Sequence, residues 1–118
     1  MSRFLTTNRF PLGRKTLYTT APDAQTAQAI AQAVVEARLA ACANIIPGMR
    51  SVYRWKDAIE TAEEVVAIFE TTIALAEEAC ALILRHHPYE TPCVVSLPVG
   101  AAGSNPAYLA WLAGETGL

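Results

Sequence analysis

A chain of 118 residues has the length of one domain, and its 53% hydrophobic content exceeds what a small soluble monomer usually hides, so a shared interface is expected. A formal charge of −2 argues against tracking a phosphate backbone, so no nucleic-acid partner is expected, and no apolar run nears the roughly 20 residues of a membrane span. The three cysteines, Cys42, Cys80 and Cys93, are odd in number and lack CxxC spacing, which argues against a disulfide framework and for a reducing, cytoplasmic setting.

Residues 1–14 carry three arginines and no acid, and Pro11 and Gly13 break them. They read as a flexible extension before a domain over 15–118, with a short transit peptide as the alternative. Thr16 to Ala21 is rich in β-formers and predicts a first strand. Asp23 follows Pro22 as a helix N-cap, and Ala27, Ile30, Ala31, Val34 and Val35 repeat at helical spacing, with an end near Arg38 to Ala40. Cys42 to Ile46 and Ser51 to Trp55 read as one strand bent at Pro47-Gly48. Lys56 to Ala58 is turn-like and Glu63 to Thr71 predicts a third strand, closing a long hairpin.

Leu75, Ala79, Leu82, Ile83 and His86 mark a second helix, with Glu77 and Glu78 early and His86-His87 late, as the helix dipole prefers. Pro88 stops it. Cys93 to Leu97 predicts a fourth strand closed by Pro98, and Asn105-Pro106 caps a short terminal helix with Tyr108, Leu109, Trp111 and Leu112. The order predicts an α+β, ferredoxin-like βαββαβ sandwich: an antiparallel sheet with both main helices on one face.

Four blocks then carry a specific resemblance. They are Ala37 to Gly48 (ARLAACANIIPG), Ser51 to Trp55 (SVYRW), His87 to Pro92 (HPYETP) and Asn105 to Trp111 (NPAYLAW). In this order, over about Thr16 to Leu112, the chain resembles the divalent-cation tolerance (CutA) family. The resemblance implies a ferredoxin-like homotrimer linked to divalent-metal tolerance, with copper binding a family trait. Two positions depart from the pattern. Lys56-Asp57-Ala58 replaces a Gly-containing turn followed by a basic residue, and Glu70 stands where the family often has Lys, which reverses the local charge and puts any anion site there in doubt.

Cys42, His87 and Glu90 are the candidate metal ligands. A thiolate is a soft donor suited to copper(I), imidazole is the commonest metal ligand, and Glu90 follows His87 at i+3. Each also has a structural reading: Cys42 as a small buried hydrophobe, His87 as a helix end, Glu90 as a surface turn residue. Cys93 at i+6 joins this loop without making a recognised ligand spacing. His86 reads as a helix C-terminal cap, Cys80 as packing, and Glu60, Glu63 and Glu64 as a solvated strand end.

Tyr53, Trp55 and Trp111 are the candidate interface residues, with the hairpin edge paired to a neighbouring chain. A PII-like small-ligand sensor or partner scaffold is the alternative function, with Arg50, Arg54 and Lys56 the one basic cluster for an anion. A Cys42–His87 nucleophile–base pair is the enzymatic option, but no third group or oxyanion hole is evident, so no enzyme and no organic cofactor are expected.

Overall fold

The structure, a computed structural model, describes residues 13–117. Residues 1–12 of the expected extension lie outside them, while Arg14 already opens a strand. The elements are β1 (Arg14–Ala21), α1 (Ala24–Glu36), β2 (Cys42–Trp55), β3 (Ala58–Thr72), α2 (Ala76–His86), β4 (Val94–Val99) and α3 (Pro106–Gly114). The strands form one 4-stranded sheet in the order β2-β3-β1-β4, with every neighbour antiparallel. This is the ferredoxin-like arrangement that the element order predicts.

Local chemistry sets the ends of α1. Asp23 sits in extended backbone and its carboxylate accepts the Thr26 N–H at 2.7 Å. At the other end Arg38 takes φ 60, Leu39 N–H bonds Val34 O and Arg38 N–H bonds Val35 O. That is a Schellman closure, and Leu39 and Val34, both buried, form its apolar contact. The helix buries Ala27, Ile30, Ala31 and Val34, the stripe its periodicity marks. In α2 the buried stripe is Ala79 and Ile83, while His86 faces solvent in the last turn beside Arg85. These residues meet Leu17, Ala21, Val65, Ala67 and Phe69 from one face of the sheet in a single core.

Two strand limits differ from expectation. β3 begins at Ala58 rather than Glu63, because Ala58 to Glu64 pairs only with β2, where no buried alternation is needed. Pro98 lies inside β4 instead of ending it. β4 is an edge strand, where a residue without an N–H costs no ladder bond on the open side.

The bend in β2 has a larger consequence. Pairing steps from Ile46↔Val66 to Met49↔Glu64, so three residues of β2 span two of β3. Gly48 takes the positive φ of 81 that such a bulge uses. Parity therefore switches. Cys42, Asn44 and Ile46 face away from α1 and α2 before the bulge, and Met49, Ser51, Tyr53 and Trp55 do so after it. They join Thr16, Tyr18 and Thr20 of β1, Glu64, Val66, Ile68 and Glu70 of β3, and Val95 and Leu97 of β4 on the sheet's second face.

Candidate functional site

The second face carries two side-chain clusters. One surrounds a cavity of about 530 Å³. β1 contributes Tyr18 and Thr20, the bulged β2 contributes Ser51, Tyr53 and Trp55, and β3 contributes Glu64. The loop after α2 closes it with Tyr89, Glu90, Thr91 and Cys93.

His87 holds that loop in place. Pro88 forces the residue before it into extended backbone, and His87 has φ −87, ψ 134. Its ring is buried, with Nε2 at 2.7 Å from Thr20 O, and Nδ1 accepts the Tyr89 N–H at 3.2 Å. Because Nδ1 accepts, the partners assign a neutral ring whose Nε2–H donates to the carbonyl. The Tyr89 ring packs on the imidazole at 4.7 Å between centroids and aims its hydroxyl at Glu64.

Glu64 is 9% exposed, and both its oxygens are engaged: Ser51 donates to Oε1 at 2.6 Å and Tyr89 to Oε2 at 2.6 Å. Burial, followed by the Glu64 hydrogen bond, pushes the Tyr89 phenol well above its ordinary range.

The other cluster lies at the start of β2. Cys42 pairs across the strands with Glu70, and its Sγ is 3.3 Å from the Tyr108 hydroxyl of α3. Glu70 Oε1 accepts the Thr16 hydroxyl at 2.8 Å. The Tyr108 phenol is pushed up to about 12, first by its hydrogen bond to Cys42 and then by burial. α3 is anchored by the Arg14 guanidinium, which donates to Leu109 O at 3.0 and 2.9 Å, and by Arg38, which donates to Gly114 O at 3.2 Å.

The candidate residues distribute unevenly over these clusters. Glu90 and Cys93 line the cavity and are exposed; His87 supports it from behind with both ring nitrogens committed. Cys42 lies opposite Glu70, whereas His87 binds Thr20 opposite Val66, so a single chain does not bring Cys42 to His87, as ligands or as a nucleophile–base pair. Among the described residues no group of three or more His, Cys, Asp or Glu could hold a metal ion.

Tyr53 and Trp55 share the cavity wall, at 43% and 39% exposure, and Trp111 packs on Tyr108 at 45%. Arg50 pairs with Glu63 at 3.0 Å in solvent, and none of Arg50, Arg54 or Lys56 lines the cavity. The sequence reading missed Glu64, Ser51, Tyr18 and Thr20. The sequence places Glu64 in a solvated strand end; instead it is buried, because β-register turns it toward Tyr89 while its neighbour Glu63 points to solvent. No local signal separates the two glutamates.

Comparison with known proteins covers both clusters. The profile of the CutA1 divalent ion tolerance protein matches residues 15–115. The divalent-cation tolerance protein CutA of Thermus thermophilus is 40% identical over 98 residues, which are 83% of this chain and 93% of that one. The protein CutA of Mus musculus is 42% identical over 95 residues, 80% of this chain and 52% of the mouse protein. The solved structure of the divalent cation tolerance protein Cut A1 from Thermus thermophilus superposes with a TM-score of 0.83 at 38% identity, covering 88% of this chain and 99% of that chain. The matched residues run from the second residue of β1 through α3, and the chain belongs to the CutA1 divalent ion tolerance family.

Proposed function

We propose that this protein is a cytoplasmic, metal-responsive homotrimer with copper as its ion, acting by binding rather than catalysis. The assembly rests on one observation. Pairing of β1 with β3 ends at Ala21↔Val65, so Met49 to Trp55 and Ala58 to Glu64 continue as a two-stranded ribbon with open edges. Val52, Tyr53, Trp55 and Ile59 are exposed on it. A free apolar ribbon is marginal in water and its edges invite pairing, which a neighbouring copy supplies. Tyr53, Trp55 and Trp111 are the residues assigned to that contact.

For the metal, Cys42 is the soft donor suited to copper(I). The described residues of one chain do not converge three donors, so in this reading the remaining ligands come from more than one subunit. Glu90 is exposed, and His87 ligates only on leaving Thr20. Family membership supports the metal link. Native mass spectrometry with and without copper, on wild type and Cys42→Ser, tests both parts. Three chains with copper lost in the Ser variant is the expected result. A single-chain species removes the trimer, and undiminished copper removes Cys42 as a ligand.

A second reading has its own support. The cavity lies in the usual range for a small-molecule site, roughly 300–1,000 Å³, at about 530 Å³. It makes the protein a PII-like small-ligand sensor. Calorimetry across nucleotides, small anions and amines tests it, and silence across the whole panel removes it.

A further inference from the structure

We propose that the cavity on the second face of the sheet binds a small organic cation, an alkylammonium or quaternary ammonium group. The inference rests on the reading of that cavity as a ligand site and names its ligand class. Three observations converge on it.

The first is charge. Glu64 is 9% exposed, and its recorded partners are two neutral hydroxyls, Ser51 and Tyr89, both at 2.6 Å. The ion pair recorded among the described residues is Arg50–Glu63, so Glu64 has no cation within 4.0 Å there. Hydroxyl donors spread a buried negative charge without cancelling it, and a charge taken out of water calls for an opposite one. Glu90 adds a second carboxylate to the wall, and among the described residues neither Lys nor Arg lines the cavity. An anion is disfavoured there.

The second is the aromatic lining. Tyr18, Tyr53, Trp55 and Tyr89 all contribute to the wall. Aromatic faces are negative, and rings gathered around a carboxylate form the usual cage for an ammonium ion. Alkyl groups on the cation bury against the same rings.

The third is what a metal would need. A hard divalent ion takes about six or more oxygen ligands, or keeps its waters. The described residues offer no cluster of three metal-binding groups, and each Glu64 oxygen already accepts a hydrogen bond. At about 530 Å³ the space also far exceeds a bare ion and suits a molecule of several heavy atoms.

The test uses the full-length protein and four probes: choline, its neutral isostere 3,3-dimethylbutan-1-ol, inorganic phosphate and ATP. Saturation-transfer NMR and calorimetry should give saturable choline binding with a Kd below about 1 mM, at least about tenfold tighter than the neutral isostere. Glu64→Gln, which keeps the side chain's shape, and Tyr18→Leu, on β1 and outside the ribbon assigned to the subunit contact, should each weaken choline about tenfold or more. Circular dichroism checks that both variants fold. Choline binding no tighter than the isostere, or indifferent to both variants, overturns the proposal. Phosphate or ATP binding without choline overturns the cation while leaving the ligand site; no binding by any probe removes both.

Discussion

Between Thr20 and Tyr89, the His87 imidazole commits both nitrogens to backbone groups, and this fixes the ring that carries Tyr89 toward Glu64. Removing that hydroxyl leaves the buried carboxylate with Ser51 as its remaining recorded donor. Tyr89→Phe should therefore cost about 1–3 kcal/mol in urea unfolding. The Tyr89 phenol is raised above 10.0, so its share of stability is complete below pH 10 and falls as pH climbs beyond; the variant should show a flatter alkaline limb. Tyr108 titrates to about 12 against 10.0 for a free phenol, so its contribution is likewise present below pH 10 and lost between about 10 and 12. Because the bond to Cys42 is the largest cause, Cys42→Ala should move the Tyr108 absorbance step at 295 nm down toward 10, and an unmoved step would rule that bond out. At this scale the sequence was legible where chemistry is local. Asp23 and Asn105 cap their helices as their positions suggest, with Asn105 accepting the Ala107 N–H at 3.0 Å. It was not legible at Glu63 and Glu64, whose opposite fates depend on partners far along the chain.

The bulge at Pro47-Gly48 shows the same division among elements. Proline and glycine in a strand announce a bend, and the bend is there; its effect on side-chain parity follows only once β2 is laid against β3. Without the extra residue, Ser51, Tyr53 and Trp55 would turn to the other face and the cavity would lose one wall. Gly48 at φ 81 has nothing within 4 Å of an added Cβ, so Gly48→Ala meets backbone strain alone, about 1–2 kcal/mol. Deleting Gly48 should do something different in kind: the ribbon reverses its faces, and Trp55 fluorescence should lose its response to any cavity ligand. A deletion variant that keeps that response would show that the bulge does not set the parity. The Pro98 and Ala58 limits were missed for a related reason. Edge position and freedom from a third strand are properties of the sheet, absent from any window of sequence around those residues.

For the whole molecule, composition pointed to excess apolar surface without saying where it lies. Ile46, Val95, Leu97 and Trp111 are 49%, 46%, 48% and 45% exposed, and the first three lie on the sheet face opposite α1 and α2, at two different edges. Burying the still-exposed half of such side chains is worth about 1 kcal/mol each, so a face of this kind favours association well before any metal is added. The proposed trimer then makes stability depend on concentration, since a partner that binds only the folded chain raises Tm by mass action. Diluting the protein a hundredfold should lower Tm, and Trp111→Glu should shift sedimentation from three chain masses toward one while leaving the far-ultraviolet dichroism of the fold in place. Trp111 suits this test because Leu112, beside it, carries the burial of α3 at 1% exposure, so the charge strikes the association and spares the helix's own seat. A Tm that ignores dilution, together with a single-chain mass in the wild type, would leave the ribbon's open edges without a partner and return the apolar face to the monomer.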